Sequence, residues 1–168
     1  MKGIMFNNKT GLHNAVLNKI KTRTWRADKN PRYKIGEIIA IKESYESIFN
    51  SNKEHSKKIY IYDENDGFIL SRKQSPGWTN KMFVKNDLMP HHIKITGIKP
   101  CKLQELSNSE ALNEGIIKIS DCEYKVYGLK TIQDSPLNAF KYLINLLNGI
   151  NYWNSNPDGY AYEFELID

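Results

Sequence analysis

The sequence is poor in the residues that hold metals and disulfides. It has two cysteines and four histidines in 168 residues. The cysteines, Cys101 and Cys122, do not form a CxxC pair, and His91 and His92 are the only adjacent histidines. Structural zinc needs three or four such ligands. We therefore expect no metal and no cofactor, and we expect both cysteines to be reduced and buried.

Long apolar runs are also absent. None approaches the roughly 20 residues of a membrane-spanning helix, and the opening segment Met1–Phe6 becomes polar too soon for a signal peptide. The chain shows no internal repeat and no low-complexity linker. We therefore expect a cytoplasmic protein with no membrane partner and one domain over residues 1–168, with a loop or hairpin insertion near 44–80. The sequence leaves the oligomeric state open.

Charge and aromatic content are compatible with an anionic partner. The formal net charge is +5, from 24 basic and 19 acidic residues, and 10 tyrosines stand beside 6 phenylalanines and 3 tryptophans. A modest basic excess raises the odds of nucleic-acid binding, although many basic proteins bind none. Tyrosine-rich surfaces suit stacking and mixed polar contacts.

The first predicted helix precedes a basic stretch. Apolar residues from Leu12 to Ile20 recur at helical spacing, with Asn8 or Thr10 as the cap and an end near Asn18.

Two further helices begin at clear start signals. Ser107 and Glu110 have the spacing of a capping box, and that helix ends at Gly115. Ser135-Pro136 is a cap followed by a first-turn proline, and Gly149 ends this third helix. The residues predicted on its buried face are Leu137, Phe140, Leu143, Ile144 and Leu147.

The predicted strands are short and stand in mixed order with the helices. Alternating or β-branched runs predict roughly six or seven strands, among them Ile38–Glu43, Cys122–Leu129 and Tyr160–Leu166, and Asp63–Gly67 is a hairpin turn. Longer loop regions are predicted over 44–58 and 153–159, and over 117–134 on both sides of the predicted strand Cys122–Leu129. Because helices and strands do not alternate regularly, the expected fold class is α+β, with a small mixed or barrel-like sheet.

One stretch, Lys19–Arg26, alternates basic residues with hydroxyls and an aromatic. An amine, a hydroxyl and a guanidinium this close together can hold a phosphate, and they can perform chemistry when a carboxylate arrives from elsewhere. Lys21 is predicted in the turn after the first helix, and Thr22–Arg26 is predicted to begin a strand. Since side chains alternate along a strand, Lys21 and Thr24 converge only if Lys21 lies in that turn or at a bulge.

Four stretches, in order, resemble the ASCH domain, a PUA-like β-barrel family linked to RNA. Lys21–Arg26 is similar to the family's K-T-x-T-x-R signature, although the family usually has a glycine just before it, where this chain has Asn18–Ile20. Tyr33–Tyr45 resembles the family's K-x-G-D strand entry and V-R-E-T-W element. Met89–Ile116 also resembles the family, and Trp153–Glu165 is similar to the closing W-x-x-N-P…Y-E-F element of longer, phage-type members.

The resemblance implies a PUA-like barrel with a positively charged cleft that is lined by the signature and takes RNA or a nucleoside. Some small members are amidohydrolases that act on acetylated cytidine with a Lys, a Thr and a Glu, which fall on Lys21, Thr24 and Glu114. In that chemistry a lysine with a lowered pKa deprotonates the threonine while the carboxylate orients the amine. Glu114 also precedes a helix-ending glycine, where the helix dipole disfavours a carboxylate, so a partner such as Lys21 is expected.

Further residues are predicted to bind the ligand. Arg26 would hold a phosphate or an oxyanion, and Glu43, which ends a buried strand, would pair with Lys21 or Arg26. Stacking and phosphate contacts are predicted for Tyr45, Trp78 and Lys81.

These residues support functions of different classes. The leading hypothesis is a module with a basic cleft that binds RNA or a modified nucleotide, because this function needs only charge and shape. The alternative is a small amidohydrolase of N4-acylated cytidine nucleosides, which needs close convergence of Lys21, Thr24 and Glu114. A ribonuclease and a structural, phage-associated protein with a vestigial cleft are further alternatives.

Overall fold

The computed structural model describes residues 1–54, 62–63, 67–68 and 76–168. The chain divides into two compact units. Unit 1 comprises residues 1–6, 38–93 and 168, and unit 2 comprises residues 7–37 and 94–167. One domain over residues 1–168 stays a prediction.

The described residues form helices and short strands in mixed order. The strands are β1 (Lys2–Ile4), β2 (Arg23–Arg26), β3 (Ile38–Ile41), β4 (Tyr62–Asp63), β5 (Gly67–Phe68), β6 (His92–Lys102), β7 (Ile116–Ser120), β8 (Glu123–Val126) and β9 (Asp158–Leu166). The α-helices are α1 (Leu12–Leu17), α2 (Tyr45–Glu54), α3 (Asn108–Leu112), α4 (Pro136–Asn148) and α5 (Tyr152–Ser155). Short 3-10 turns occupy Lys81–Phe83, Asn86–Leu88 and Leu103–Glu105.

The α+β fold class is confirmed, whereas a closed barrel is not seen. Within the described residues, β1 pairs parallel with β3, β2 pairs antiparallel with β9, and β7 pairs antiparallel with β8. These ladders are open, and in neither unit do the described strands close on themselves. The predicted hairpin is present where it is described, because Tyr62 pairs with Phe68 and Asp63 with Gly67. The predicted strand residues 59–61 and 69–70 lie outside the described residues.

Unit 1 has its own apolar core. The buried residues that form it are Ala40, Tyr45, Ile48, Trp78, Val84 and Met89. The prediction of a loop over 44–58 is wrong for its first part, because Tyr45–Glu54 forms α2 and places Tyr45 and Ile48 in this core. Burial of these two apolar side chains stabilises a helix whose other residues are largely polar.

In unit 2, α4 and α5 cover one part of the core. Ser135 caps α4 as predicted, since its side chain accepts a hydrogen bond from the Asn138 N–H at 3.2 Å, and the helix ends before Gly149. Leu147 is 39% exposed, so its predicted place on the buried face is wrong. The predicted loop over 153–159 begins instead as α5, whose buried Trp153 ring packs edge-on against Phe140 at 6.1 Å.

Two other predictions for unit 2 are corrected. Neither Asn8 nor Thr10 stands at the cap position of α1, because Gly11 occupies it with φ 73° and makes no side-chain cap hydrogen bond. The region 117–134 contains a β-hairpin, because β7 pairs antiparallel with β8, which lies within the predicted strand Cys122–Leu129. A Cβ at Gly11 would lie 2.5 Å from the Gly128 backbone, so this close approach requires glycine.

Candidate functional site

The turn between α1 and β2 places Lys21. After α1, Asn18 is the C-cap residue, and Lys19 adopts a left-handed conformation with φ 57°. The N–H groups of Ile20 and Lys21 both donate to the Ala15 carbonyl, at 2.8 and 2.9 Å. Lys21 therefore lies in the turn that precedes β2, so its side chain does not follow the alternation of that strand.

The turn after α3 places Glu114. The Glu114 N–H donates to the Ala111 carbonyl at 3.0 Å, and Gly115 then adopts φ 94°. A Cβ at Gly115 would lie 2.9 Å from the Leu12 side chain. Glycine therefore meets both the conformational and the steric requirement of this turn.

A short segment after β8 joins the two parts of the chain that supply Lys21 and Glu114. The Tyr127 N–H donates to the Gly115 carbonyl at 3.0 Å, and the Gly128 N–H donates to the Thr10 carbonyl at 3.2 Å. The Asn18 side-chain amide also donates to the Tyr127 hydroxyl at 3.1 Å. These contacts brace both ends of α1 against the turn that holds Glu114.

Lys21 and Glu114 form a buried ion pair. Lys21 Nζ donates to Glu114 Oε2 at 2.6 Å and to the Glu114 carbonyl at 2.9 Å, and the two side chains are 2% and 3% exposed. Burial lowers the pKa of Lys21, and the charge of Glu114 opposes that shift without cancelling it. Within the described residues, Glu114 Oε1 is buried and accepts no hydrogen bond. A ligand donor that reaches this atom would satisfy it.

Strand β2 adds two predicted site residues on one face. Side chains alternate along β2, so Thr24 and Arg26 share a face. Thr24 is 4% exposed and stands opposite Tyr162 in the antiparallel register. Burial lowers the pKa of Arg26, and Glu114 is among the groups whose charge opposes the shift. The structure thus brings Lys21, Arg26 and Glu114 within electrostatic reach of one another.

A network beside Arg26 was not predicted from the sequence. The Tyr162 hydroxyl donates to Asp28 Oδ2 and accepts from the Arg32 N–H, each at 2.9 Å. Arg32 Nη2 donates to Asp28 Oδ1 at 2.7 Å. Burial, together with Asp28, raises the pKa of Tyr162 to about 12. The Tyr33 ring meets Tyr162 edge-on at 5.1 Å, and burial raises the pKa of Tyr33 as well.

The only sequence signal for this network was the alternation of Tyr160 and Tyr162 in the last strand. Tyr162 lies 134 positions from Asp28, so no local pattern joins them. Tyr33 makes the largest contribution that opposes the lowered pKa of Arg26. The network therefore borders the candidate site.

Arg23 points to the other face of β2 and has a structural partner. Arg23 Nη1 contacts Glu110 Oε1 at 2.5 Å, and Lys99 Nζ contacts the same oxygen at 3.1 Å. Partial burial raises the pKa of Glu110, but the Ser107 N–H, Arg23 and Lys99 together lower it to about 2. The capping box between Ser107 and Glu110 is present as predicted.

The two cysteines are free and differ in their burial. The Trp25 indole N–H donates to the Cys101 carbonyl at 3.2 Å, and burial raises the pKa of the Cys101 thiol. A protonated thiol is a weak nucleophile. Cys122 is exposed, so the expectation that both cysteines are buried is wrong for this one, which lies at the turn between β7 and β8.

The other predicted ligand-binding residues lie in unit 1. Tyr45 and Trp78 are 2% and 7% exposed and belong to the core of that unit, so stacking on a base would require them to leave it. Glu43 is 6% exposed, and Lys81 Nζ donates to the Phe6 carbonyl. Ligand contacts by Glu43 and Lys81 stay predictions.

In the described ranges, no group of three or more His, Cys, Asp and Glu side chains could hold a metal ion. No helix in the same part of the chain is long and apolar enough to cross a bilayer. Comparison with protein-family models, curated proteins and solved structures found no match.

Proposed function

We propose that unit 2 is an ASCH-type, PUA-like module that binds RNA or a modified nucleotide at the site of Lys21, Thr24, Arg26 and Glu114. The ion pair between Lys21 and Glu114 carries the proposal. These residues are 93 positions apart, and the resemblance assigns both of them to one cleft. Their contact supports the resemblance independently of the local motifs on which it was based.

The side chains at this site suit an anionic, hydrogen-bonding ligand. The guanidinium of Arg26 offers planar, paired donors that match a phosphate. Thr24 lies on the same face of β2 and adds a hydroxyl that donates or accepts. The buried Glu114 Oε1 provides an acceptor for an amine or hydroxyl of a base or ribose.

Fluorescence polarisation with short, labelled single-stranded RNAs tests the binding function. We expect binding at low salt and a decline of log K with log salt of about 0.7 per phosphate contacted. Arg26→Gln should weaken binding by about 10- to 150-fold, since hydrogen bonds to charged groups contribute about 1.5–3 kcal/mol. Lys141→Gln, which removes an exposed charge from α4, is the matched control and should have little effect. Flat titrations at low salt would contradict the proposal.

A second candidate function is hydrolysis of the amide of N4-acylated cytidine. The lowered pKa of Lys21 favours it, because a buried amine that more readily loses its proton is able to serve as a general base. In this mechanism the neutral Lys21 amine takes the Thr24 hydroxyl proton, and the threonine oxygen attacks the acyl carbon. Arg26 stabilises the oxyanion, and Glu114 orients the amine.

The remaining steps return the enzyme to its starting state. The C–N bond of the tetrahedral intermediate breaks, and the Lys21 ammonium gives its proton to the departing cytidine amine. Water then attacks the acyl-threonine ester, with Lys21 again as the base. The carboxylic acid leaves and Thr24 regains its proton, so the net reaction consumes one water for each amide cleaved.

Incubation with N4-acetylcytidine, followed by chromatography, decides between binding alone and hydrolysis. If the chain is a hydrolase, Thr24→Val should abolish cytidine release, because valine keeps the shape and removes the nucleophile. Thr22→Val is the matched control, because it makes the same change two residues away. Absence of turnover in a protein that binds RNA would exclude hydrolysis of this substrate. Electrophoresis of the RNA after incubation detects ribonuclease activity in the same samples.

A further inference from the structure

A groove of about 380 Å³ lies in unit 2 and contains none of Lys21, Thr24, Arg26 and Glu114. Its volume falls in the range of sites for small organic ligands, about 300–1,000 Å³. Its lining is formed by three segments of the chain, residues 27–29, residues 100–102 with Glu105, and residues 158–160. This groove, called the 158–160 groove below, has no role in the chemistry described so far.

The 158–160 groove lies next to the candidate site in the β2–β9 ladder. Tyr160, which lines it, stands directly opposite Arg26 in the β2–β9 ladder. Paired residues in an antiparallel ladder have Cα atoms about 4.5–5.5 Å apart. Ala27 and Asp28, which follow Arg26 in the chain, line the same groove. Tyr162, which stands opposite Thr24, also lies near the groove, because the centroid of its ring is 6.4 Å from that of the Tyr160 ring.

The lining of the groove combines small or apolar residues with one aromatic residue. Cys101 and Gly159 are buried and line it together with Pro100 and Ala27, while the ring of Tyr160 is half-buried. A Cβ at Gly159 would overlap the Trp25 ring, so the absence of a side chain there lets β9 approach β2. A flat, partly open aromatic ring beside small residues suits a stacked base.

Charged residues at the groove divide into committed and available groups. The Asp28 carboxylate is held by Arg32 and Tyr162, and Glu105 accepts the Lys102 N–H at 2.8 Å. Lys29 and Lys102 also have exposed ammonium-bearing side chains at the groove, where phosphate contacts are accessible to them.

Asp158 is the remaining acidic residue of the lining and is exposed. A carboxylate accepts a hydrogen bond from the exocyclic amine of cytosine, and the edges of unstacked bases are read in this way in single-stranded RNA. The groove therefore offers a stacking ring, two ammonium groups and one acceptor.

We propose that the 158–160 groove holds the nucleotide adjacent to the one bound beside Arg26, so that the ligand is single-stranded RNA of at least two nucleotides. This inference rests on the proposed function of the Lys21–Glu114 site and specifies its ligand. Tyr160 stacks on the second base, and Lys29 and Lys102 contact the phosphates that flank it.

Titration of three probes separates this inference from the proposed function. The probes are cytidine monophosphate, a cytidylyl dinucleotide and a single-stranded RNA hexamer, with affinities measured by calorimetry. We expect the dinucleotide to bind about tenfold more tightly than the mononucleotide, since stacking contributes about 1–3 kcal/mol per base. The hexamer should bind at least as tightly as the dinucleotide.

Substitutions at Tyr160 test whether the tighter binding of the dinucleotide depends on the groove. Tyr160→Ala should remove the tenfold advantage of the dinucleotide and leave mononucleotide affinity unchanged, whereas Tyr160→Phe should retain the advantage because the ring remains. Tyr124→Ala, a half-buried tyrosine on β8 outside the groove, is the matched control. Circular dichroism of each variant shows whether it is folded, and Lys102→Gln gives a second reading if Tyr160→Ala does not fold.

The outcomes are distinct. Equal affinity for mononucleotide and dinucleotide, unchanged by Tyr160→Ala or Lys102→Gln, would overturn the second subsite while leaving nucleotide binding intact. Failure of all three probes to bind would overturn the proposed function itself.

Discussion

Removal of the Glu114 carboxylate is the most informative perturbation of this protein. Glu114→Gln preserves the shape of the side chain but leaves the charge of Lys21 without its 2.6 Å partner in a site where both side chains are almost fully buried. Breaking a buried ion pair by removing one member costs about 3–5 kcal/mol, because the remaining charge is uncompensated. Native domains are stable by about 5–15 kcal/mol in total. The variant should therefore be severely destabilised at neutral pH.

The pH dependence of that loss has a definite sign. Burial already lowers the pKa of Lys21 below its ordinary value of 10.5, and Glu114 opposes the shift. Without Glu114 the folded-state pKa falls further, so between that pKa and 10.5 the unfolded state binds more protons. Stability of Glu114→Gln should therefore rise as the pH increases towards about 10, over a wider pH range than that of the parent protein.

Urea denaturation at several pH values measures both effects. Glu165→Gln is the matched control, because Glu165 is 57% exposed and its distance to Lys94 is 3.9 Å; it should lose less than about 1 kcal/mol. The double variant Lys21→Met with Glu114→Leu should recover most of the stability, since apolar replacements of buried pairs are often neutral or stabilising. A loss below about 1 kcal/mol in Glu114→Gln would refute the reasoning, because it would mean that the pair is not desolvated.

Three further predictions follow from local geometry. Lys19→Gly should raise the free energy of unfolding by about 1 kcal/mol in urea denaturation, because Lys19 has φ 57° and glycine adopts that conformation without steric cost; a loss of stability would contradict this. Glu110 has a pKa of about 2 against 4.5 when unperturbed, so its stabilisation is complete above pH 4.5 and is lost as the pH falls towards 2. Glu110→Gln should flatten acid unfolding in that window. In an ultraviolet titration, Tyr162 should ionise near pH 12 rather than 10, and Tyr162→Phe should remove only that late step.

The helices that could be predicted from the sequence are those with local start and stop signals. Ser107 and Ser135 cap α3 and α4 as their spacing predicts, because a cap depends on atoms within four residues. Helix α2 was missed because its stabilisation comes from Tyr45 and Ile48 packing against residues distant in the chain. A mostly polar segment with two such residues has no strong periodicity.

The candidate site likewise combines features that local sequence predicts with features that depend on contacts between distant residues. The turn at Lys21 could be predicted because Asn18 is a residue that ends helices locally. The family resemblance and the unfavourable helix-end charge indicate Glu114 as the carboxylate, whereas its spacing from Lys21 in the sequence does not. The Asp28–Tyr162 hydrogen bond spans 134 positions and was not foreseen, since only the three-dimensional fold brings such atoms together.

The separation of Lys21 and Glu114 by 93 positions also constrains the order in which unit 2 is able to fold. Unit 2 is assembled from residues 7–37 and 94–167, and one member of the ion pair comes from each segment. During synthesis Lys21 remains exposed to water until Glu114 has been synthesised, because burial of an unpaired lysine charge would cost several kcal/mol. The first segment therefore cannot reach its final packing alone, and the ion pair forms only when the second segment packs against it.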